Sequence, residues 1–154
     1  MITFRTSTPE DFDLLVELRL AFVFEGQTPL AAGEFQQAKQ AYITYLREQL
    51  SRDSFVGYLG FLDAQPVCVA GLLLYDLPPL RHRLRRRIGH VLNFYTLPEH
   101  RKKGYGTALM QFIAEDARKR GLDRLFLNAT AMGEPLYRNF GFAESTATAL
   151  QLDL

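Results

Sequence analysis

Arg101-Lys102-Lys103-Gly104-Tyr105-Gly106-Thr107 sets three cations and two glycines just ahead of an amphipathic run, Thr107 to Arg120. The start of a helix offers unpaired N–H groups and the positive end of its dipole, so residues of these types at this spacing can form an anion site. Glycine lets the backbone approach a ligand closely and adopt angles closed to other residues. The same residues also read as a glycine turn with a solvated basic rim. Two phosphate loops are excluded. A P-loop requires Lys and then Ser/Thr after its last glycine, whereas Gly106 is followed by Thr107; the dinucleotide fingerprint requires a third glycine where Leu109 stands.

Other chemistry-bearing residues are sparse. Cys68, the single cysteine, sits in the apolar run "PVCVAGLLLY" and reads as a small core residue. One cysteine excludes an internal disulfide and fits a reducing compartment. His82, His90 and His100 match no metal-ligand spacing, so no metal is expected. A second basic tract, "LRHRLRRRIGH" from Leu80 to His90, reads first as a solvated loop between two strands. It lacks interleaved aromatics and the formal net charge is only +1, so nucleic acid is not an expected partner.

The elements that must position these residues follow from periodicity. A chain of 154 residues, 47% hydrophobic, suffices for one domain with a substantial core. Ile2 to Arg5 reads as a strand, and Thr8-Pro9-Glu10-Asp11 as a helix start with a capping Thr and Pro in the first turn. Phe12, Leu15, Val16, Leu20 and Val23 then recur at helical spacing, and so do Phe35, Ala38, Tyr42, Tyr45 and Leu46 in a second helix over Ala32 to Leu50. "SFVGYLGFLD" and "PVCVAGLLLYD" form a hairpin around Ala64-Gln65, and "IGHVLNFYT" is a further strand. After the amphipathic helix, stopped by Gly121, come a strand "RLFLNAT", a short helix "EPLYRNF" closed by Gly141, and a closing strand "TATALQLDL". No repeat or interdomain linker interrupts this order. The start "MITFRTSTPEDFD" has no signal-peptide pattern and no apolar run is long enough to span a bilayer, so a cytoplasmic protein is expected.

"RKKGYG" resembles the R/Q-x-x-G-x-G/A loop of the GNAT superfamily of N-acetyltransferases, and "FYTLPEH" before it resembles that family's fourth strand and its exit. About thirty residues on, "NATAMGEPLYRNFGF" resembles the second family signature, ending L-Y-x-x-x-G-F. The resemblance covers essentially the whole chain, 1–154, as one N-acetyltransferase domain. It implies an α/β (α+β) fold with one mixed, mostly antiparallel sheet, helices on both faces and splayed central strands.

The resemblance also implies roles. Acetyl-coenzyme A would bind where the fourth and fifth strands part. Its pyrophosphate would lie on N–H groups of Lys102, Lys103, Gly104, Tyr105, Gly106 and Thr107, with Arg101 adding charge, and its pantetheine would pair with Phe94, Tyr95 and Thr96. Strand-like pairing suits a ligand with two amides, because it satisfies an open strand edge. A strand N–H would polarise the thioester carbonyl. Tyr137 falls where the family often places a tyrosine near the coenzyme sulfur; its ordinary pKa of about 10 would keep it protonated as a donor to the leaving thiolate. Core packing beside Leu136 and Phe140 is the competing role. Where many members carry Asn, seven positions before this tyrosine, stands Thr130; Asn128 is the available substitute. For a base the strand offers no carboxylate; His90 is available, with Asn93 to position a water and Glu25 and Asp76 as other candidates. A hydrogen-bonded strand residue is the competing reading of His90.

The expected function is acetyl transfer from acetyl-coenzyme A to a primary amine of a small-molecule or peptide acceptor, by direct attack in a ternary complex. The alternatives are transfer of a longer acyl group, an acyl-coenzyme A binding or sensing module without turnover, and an RNA- or ribosome-associated module using the Arg-rich tract. A homodimer is compatible with the family. The five arginines Arg81, Arg83, Arg85, Arg86 and Arg87 are expected on the acceptor side, favouring an acceptor that also carries a carboxylate or phosphate.

Overall fold

The computed structural model describes residues 1–145 and 151–153. Strands β1 (Ile2–Thr6), β2 (Phe55–Leu62), β3 (Gln65–Asp76), β4 (Arg87–Thr96) and β5 (Arg124–Phe126) lie in that order in one sheet. Every neighbouring pair is antiparallel except β4 and β5, which run parallel. Parallel neighbours need a crossover, and helix α3 (Tyr105–Lys119) supplies it. Helices α1 (Phe12–Phe24) and α2 (Ala32–Ser51) precede β2, and α4 (Glu134–Phe140) follows β5.

The sheet buries both faces, because side chains alternate along each strand. On one face Tyr58, Val67, Leu72 and Val91 pack with Leu109, Met110 and Ile113 of α3 and Tyr137 of α4. On the other, Leu59, Val69 and Tyr95 pack with Leu15, Val16 and Leu18 of α1 and Leu46 of α2. Cys68 is fully buried in the first of these cores, and burial pushes its thiol pKa up to about 12, the behaviour of a packing residue.

The hairpin turn falls at Asp63-Ala64, both with left-handed φ (47° and 68°), as a primed two-residue turn requires. Three expectations are corrected or bounded. Val23, expected on the buried stripe of α1, is 38% exposed in the last turn, while Leu18 is buried. The strand expected over "RLFLNAT" stops at Phe126. The closing strand expected over "TATALQLDL" falls largely on residues 146–150 and 154, outside the described residues, and 151–153 carry no regular structure. Among the described residues, no helix is long and apolar enough to cross a membrane, and no group of three or more His, Cys, Asp or Glu could hold a metal ion.

Entry into α1 is fixed by Asp11, which follows Pro9 in a short 3-10 turn and is buried. Its carboxylate accepts from both Arg5 guanidinium nitrogens (2.5 and 2.8 Å) and from the Thr8 N–H (2.8 Å). The Arg5 hydrogen bonds chiefly hold its pKa down at about 2, against the cost of burial. A depressed carboxyl pKa stabilises the fold above the unfolded value of about 4 and loses that contribution as pH falls towards 2. Arg5 is half-exposed, so solvent screens the pair. Asp11→Asn is expected to cost about 1–2 kcal/mol at pH 7 and almost nothing near pH 2. Urea denaturation at the two pH values checks it.

Candidate active site

The site begins where the sheet opens. Strands β4 and β5 pair only from Ile88 with Arg124 to His90 with Phe126. Beyond that point the chain after β5 leaves the sheet, and the outer edge of β4 from Val91 to Thr96 has no strand partner among the described residues. A register shift against Val69–Gly71 of β3 bulges β4 in this stretch, and Asn93 takes a left-handed φ of 53°. Bulges bend a strand and re-aim its side chains. The gap is a cavity of about 410 Å³. Its walls come from β4, from α1 and α2 on one face of the sheet, and from Tyr137 of α4 on the other.

Tyr137 is 8% exposed and stands edge-on to Phe94 (centroids 5.6 Å) and Phe142 (5.8 Å). Burial pushes its pKa up to about 12, so the phenol keeps its proton at neutral pH. His90 lines the same cavity edge-on to Phe126 (4.9 Å); its Nε2 is buried without a hydrogen-bond partner, and burial lowers its pKa from the ordinary 6.5. Asn128 and Thr130 both line the cavity. The Thr130 hydroxyl is already engaged, accepting from the Gly133 N–H (3.2 Å) in the turn that leads into α4.

The basic loop lies at the far end of β4. Lys102 (φ 59°) and Gly104 (φ 82°) are both left-handed, and Gly104 is the residue that caps α3. A lysine tolerates that conformation at a cost; glycine does not pay it. The Ala108 N–H donates to the Gly104 carbonyl (3.1 Å), so the N–H groups of Tyr105, Gly106 and Thr107 lie ahead of the first helical bond. A Cβ on Gly104 would meet nothing within 4 Å, whereas one on Gly106 would lie 2.9 Å from Leu136 and 3.5 Å from Phe94. Gly104 therefore faces open space, and Gly106 lets α3 approach α4 and β4.

Arg101 turns away from the loop. It donates through Nε to the Thr96 carbonyl (2.9 Å), grips Glu25 with both terminal nitrogens (2.7 and 2.5 Å), and lies over the Tyr95 ring. Tyr95 points to the α1–α2 face, its pKa pushed up to about 12 by burial and then by Glu25. Glu25 is thus committed to Arg101, and Asp76 stands opposite Arg87 at the distal end of β3 and β4. None of the five arginines of the second basic tract lines the cavity.

Sequence reasoning did not nominate Arg19, Phe22, Tyr42 and Tyr45, which form the α1–α2 wall of the cavity. A signal for Arg19 existed: it interrupts the apolar run of α1 between Leu18 and Leu20.

Comparison with known proteins agrees with this geometry. The family model described as "Acetyltransferase (GNAT) family" matches residues 16–142. No curated protein matches. Among solved structures, a predicted acetyltransferase from Clostridium acetobutylicum, determined with acetyl-CoA, is 25% identical with a TM-score of 0.83, over 99% of this chain and 96% of that one. A GCN5-related N-acetyltransferase from Ralstonia eutropha JMP134 is 26% identical with a TM-score of 0.78, over 99% of each chain. An aminoglycoside acetyltransferase from an uncultured soil metagenomic sample shares the fold at 21% identity and a TM-score of 0.68, over 100% of this chain and 97% of that one. The splayed sheet, the glycine loop and the matched family model converge: this chain belongs to the GNAT family of acetyltransferases.

Proposed function

We propose that this protein, acting as one domain over residues 1–154, transfers the acetyl group of acetyl-coenzyme A to a primary amine by direct attack in a ternary complex. The observation that carries the reading is the unpaired outer edge of β4 beyond His90, which borders a cavity reaching Tyr137. An open strand edge suits the two amides of pantetheine, which would pair along Phe94, Tyr95 and Thr96. The pyrophosphate would rest on the N–H groups at the start of α3, from Lys102 to Thr107, where Gly104 leaves open space. Asn128 and Thr130 would flank the pantetheine arm.

In this reading the amine nitrogen attacks the thioester carbonyl, a C–N bond forms, and the C–S bond breaks. The leaving sulfur accepts a hydrogen bond and then a proton from the Tyr137 hydroxyl. The proton lost by the amine goes to His90, the one imidazole among the described residues of a cavity wall that shows no carboxylate there. A lowered pKa keeps His90 neutral at pH 7 and able to accept. Thiol release from acetyl-coenzyme A with a panel of amines tests the reading. Tight coenzyme binding with no thiol release for any amine would favour a binding module and end it.

Two further outcomes are expected. kcat/KM should rise with pH through an apparent pKa below 6.5, and that limb should vanish in His90→Asn. Acceptors of different amine pKa separate this limb from the acceptor's own titration. Arg101→Ala should raise the coenzyme Kd about threefold to tenfold by loosening the loop. Glu25→Gln should do the same, since both remove one clamp; a charge acting directly on phosphate would leave Glu25→Gln silent. Calorimetry reads both.

A further inference from the structure

Arg19 is a half-buried cation without a carboxylate partner among the described residues. It rises from the middle of α1, with its guanidinium over the rings of Phe22 and Tyr42, each 5.6 Å from the centroid. One terminal nitrogen donates to the side-chain oxygen of Asn93, whose own amide nitrogen donates to the Tyr42 hydroxyl (3.3 Å). The β4 bulge is what brings Asn93 to this position, so the strand that would hold pantetheine also fixes the arginine. A guanidinium carries five N–H donors in a planar fork, and among the described residues only one hydrogen bond from it is made. Desolvation lowers its pKa, the usual cost of a cation placed where no anion compensates it.

Arg19, Tyr42 and Tyr45 wall the cavity on the α1–α2 face, and Tyr137 reaches it from the opposite face. Coenzyme on the Tyr137 side leaves the Arg19 side for the acceptor. A bare alkylamine or polyamine entering there would meet an uncompensated cation and no carboxylate. An acceptor that brings its own planar anion would instead complete the fork with paired charge-assisted hydrogen bonds. At about 410 Å³ the cavity lies near the small end of ligand sites and must also admit the acetyl group.

We propose that the acceptor is a small amino carboxylate, its carboxylate held by Arg19 and its amine presented to the gap between β4 and β5. This rests on the acetyl-transfer reading and narrows its substrate class. The charge selection expected of the Arg81–Arg87 tract then belongs to a single residue of α1, held in place by Asn93.

Amino acids and their carboxamides, matched pair by pair, provide the test, read by thiol release from acetyl-coenzyme A. Each carboxylate should have a KM about 10- to 100-fold below its amide, the range of charge-assisted hydrogen bonds. In Arg19→Gln that ratio should fall to near one while the coenzyme Kd is unchanged. Arg19→Lys, which keeps the charge and loses the fork, should retain part of the ratio; far-UV circular dichroism reports that both variants fold. The same pairs are titrated calorimetrically into the coenzyme A complex of wild-type protein. If no amine is acetylated, the transfer reading fails, and the calorimetric ratio still decides the carboxylate site. Amides binding as well as carboxylates, or a preference that survives Arg19→Gln, overturns the inference.

Discussion

Tyr137→Phe should lower kcat by about 10²–10⁴-fold while leaving coenzyme affinity nearly unchanged. The substitution keeps the ring that packs edge-on against Phe94 and Phe142, so the core loses only a hydroxyl. That hydroxyl makes no hydrogen bond to a described residue, and its removal strands no buried partner. What is lost is a proton donor beside the place proposed for the sulfur. A phenol with pKa raised to about 12 is a reluctant acid towards a thiolate of ordinary pKa near 8.5. The burial that raises the Tyr137 pKa would also destabilise a thiolate beside it, narrowing that gap as charge develops on sulfur. The hydroxyl therefore acts first as a hydrogen-bond donor that strengthens in the transition state. Single-turnover measurement separates the outcomes. A fall below about threefold would assign Tyr137 to packing and leave the thiolate to depart unaided.

Gly104→Val should weaken coenzyme binding by about 5- to 150-fold, the equivalent of 1–3 kcal/mol of backbone strain. Two effects add. At φ 82° a β-branched residue is in a forbidden region, so the loop must change shape to accept it. The open space beside Gly104 is also where the pyrophosphate is proposed to lie, and a valine side chain would occupy it. The fold should survive, because Gly104 is exposed and belongs to neither core cluster. Gly104→Ala shares the backbone penalty with less bulk, and should lie between wild type and valine. Calorimetry on protein shown to be folded checks the series. An unchanged Kd in Gly104→Val removes the loop from the coenzyme site.

Local signals in the sequence carried far. Alternation and helical spacing placed α2 and α4 within a residue of their observed bounds, because each depends on neighbours one or two turns away. The "RKKGYG" loop was legible as a glycine turn opening a helix for the same reason: a left-handed glycine and a helix start are short-range features. Tyr137 was singled out through its motif, and its burial among aromatics follows from the apolar residues around it.

The rest was decided by pairing across the sheet. "RLFLNAT" reads as one strand up to Leu127 and beyond, yet only Arg124–Phe126 is a strand, because β4 and β5 diverge after His90 and an unpartnered segment has no ladder to join. The bulge that turns Asn93 depends on the register of β4 against β3, which no local pattern specifies. Arg101 reads as one cation of a basic run, and its pairing with Glu25, 76 residues earlier, is set by the fold. Arg19 and Asn93 lie 74 residues apart and meet only because α1 crosses the face of the bulged strand. The sequence alone determined the helices, the order of the first four strands, the glycine loop and the family resemblance, each carried by local patterns of residues. Which side chains share the cavity was decided by the tertiary structure, because strand register and helix placement arise from burying two apolar faces of one sheet at once.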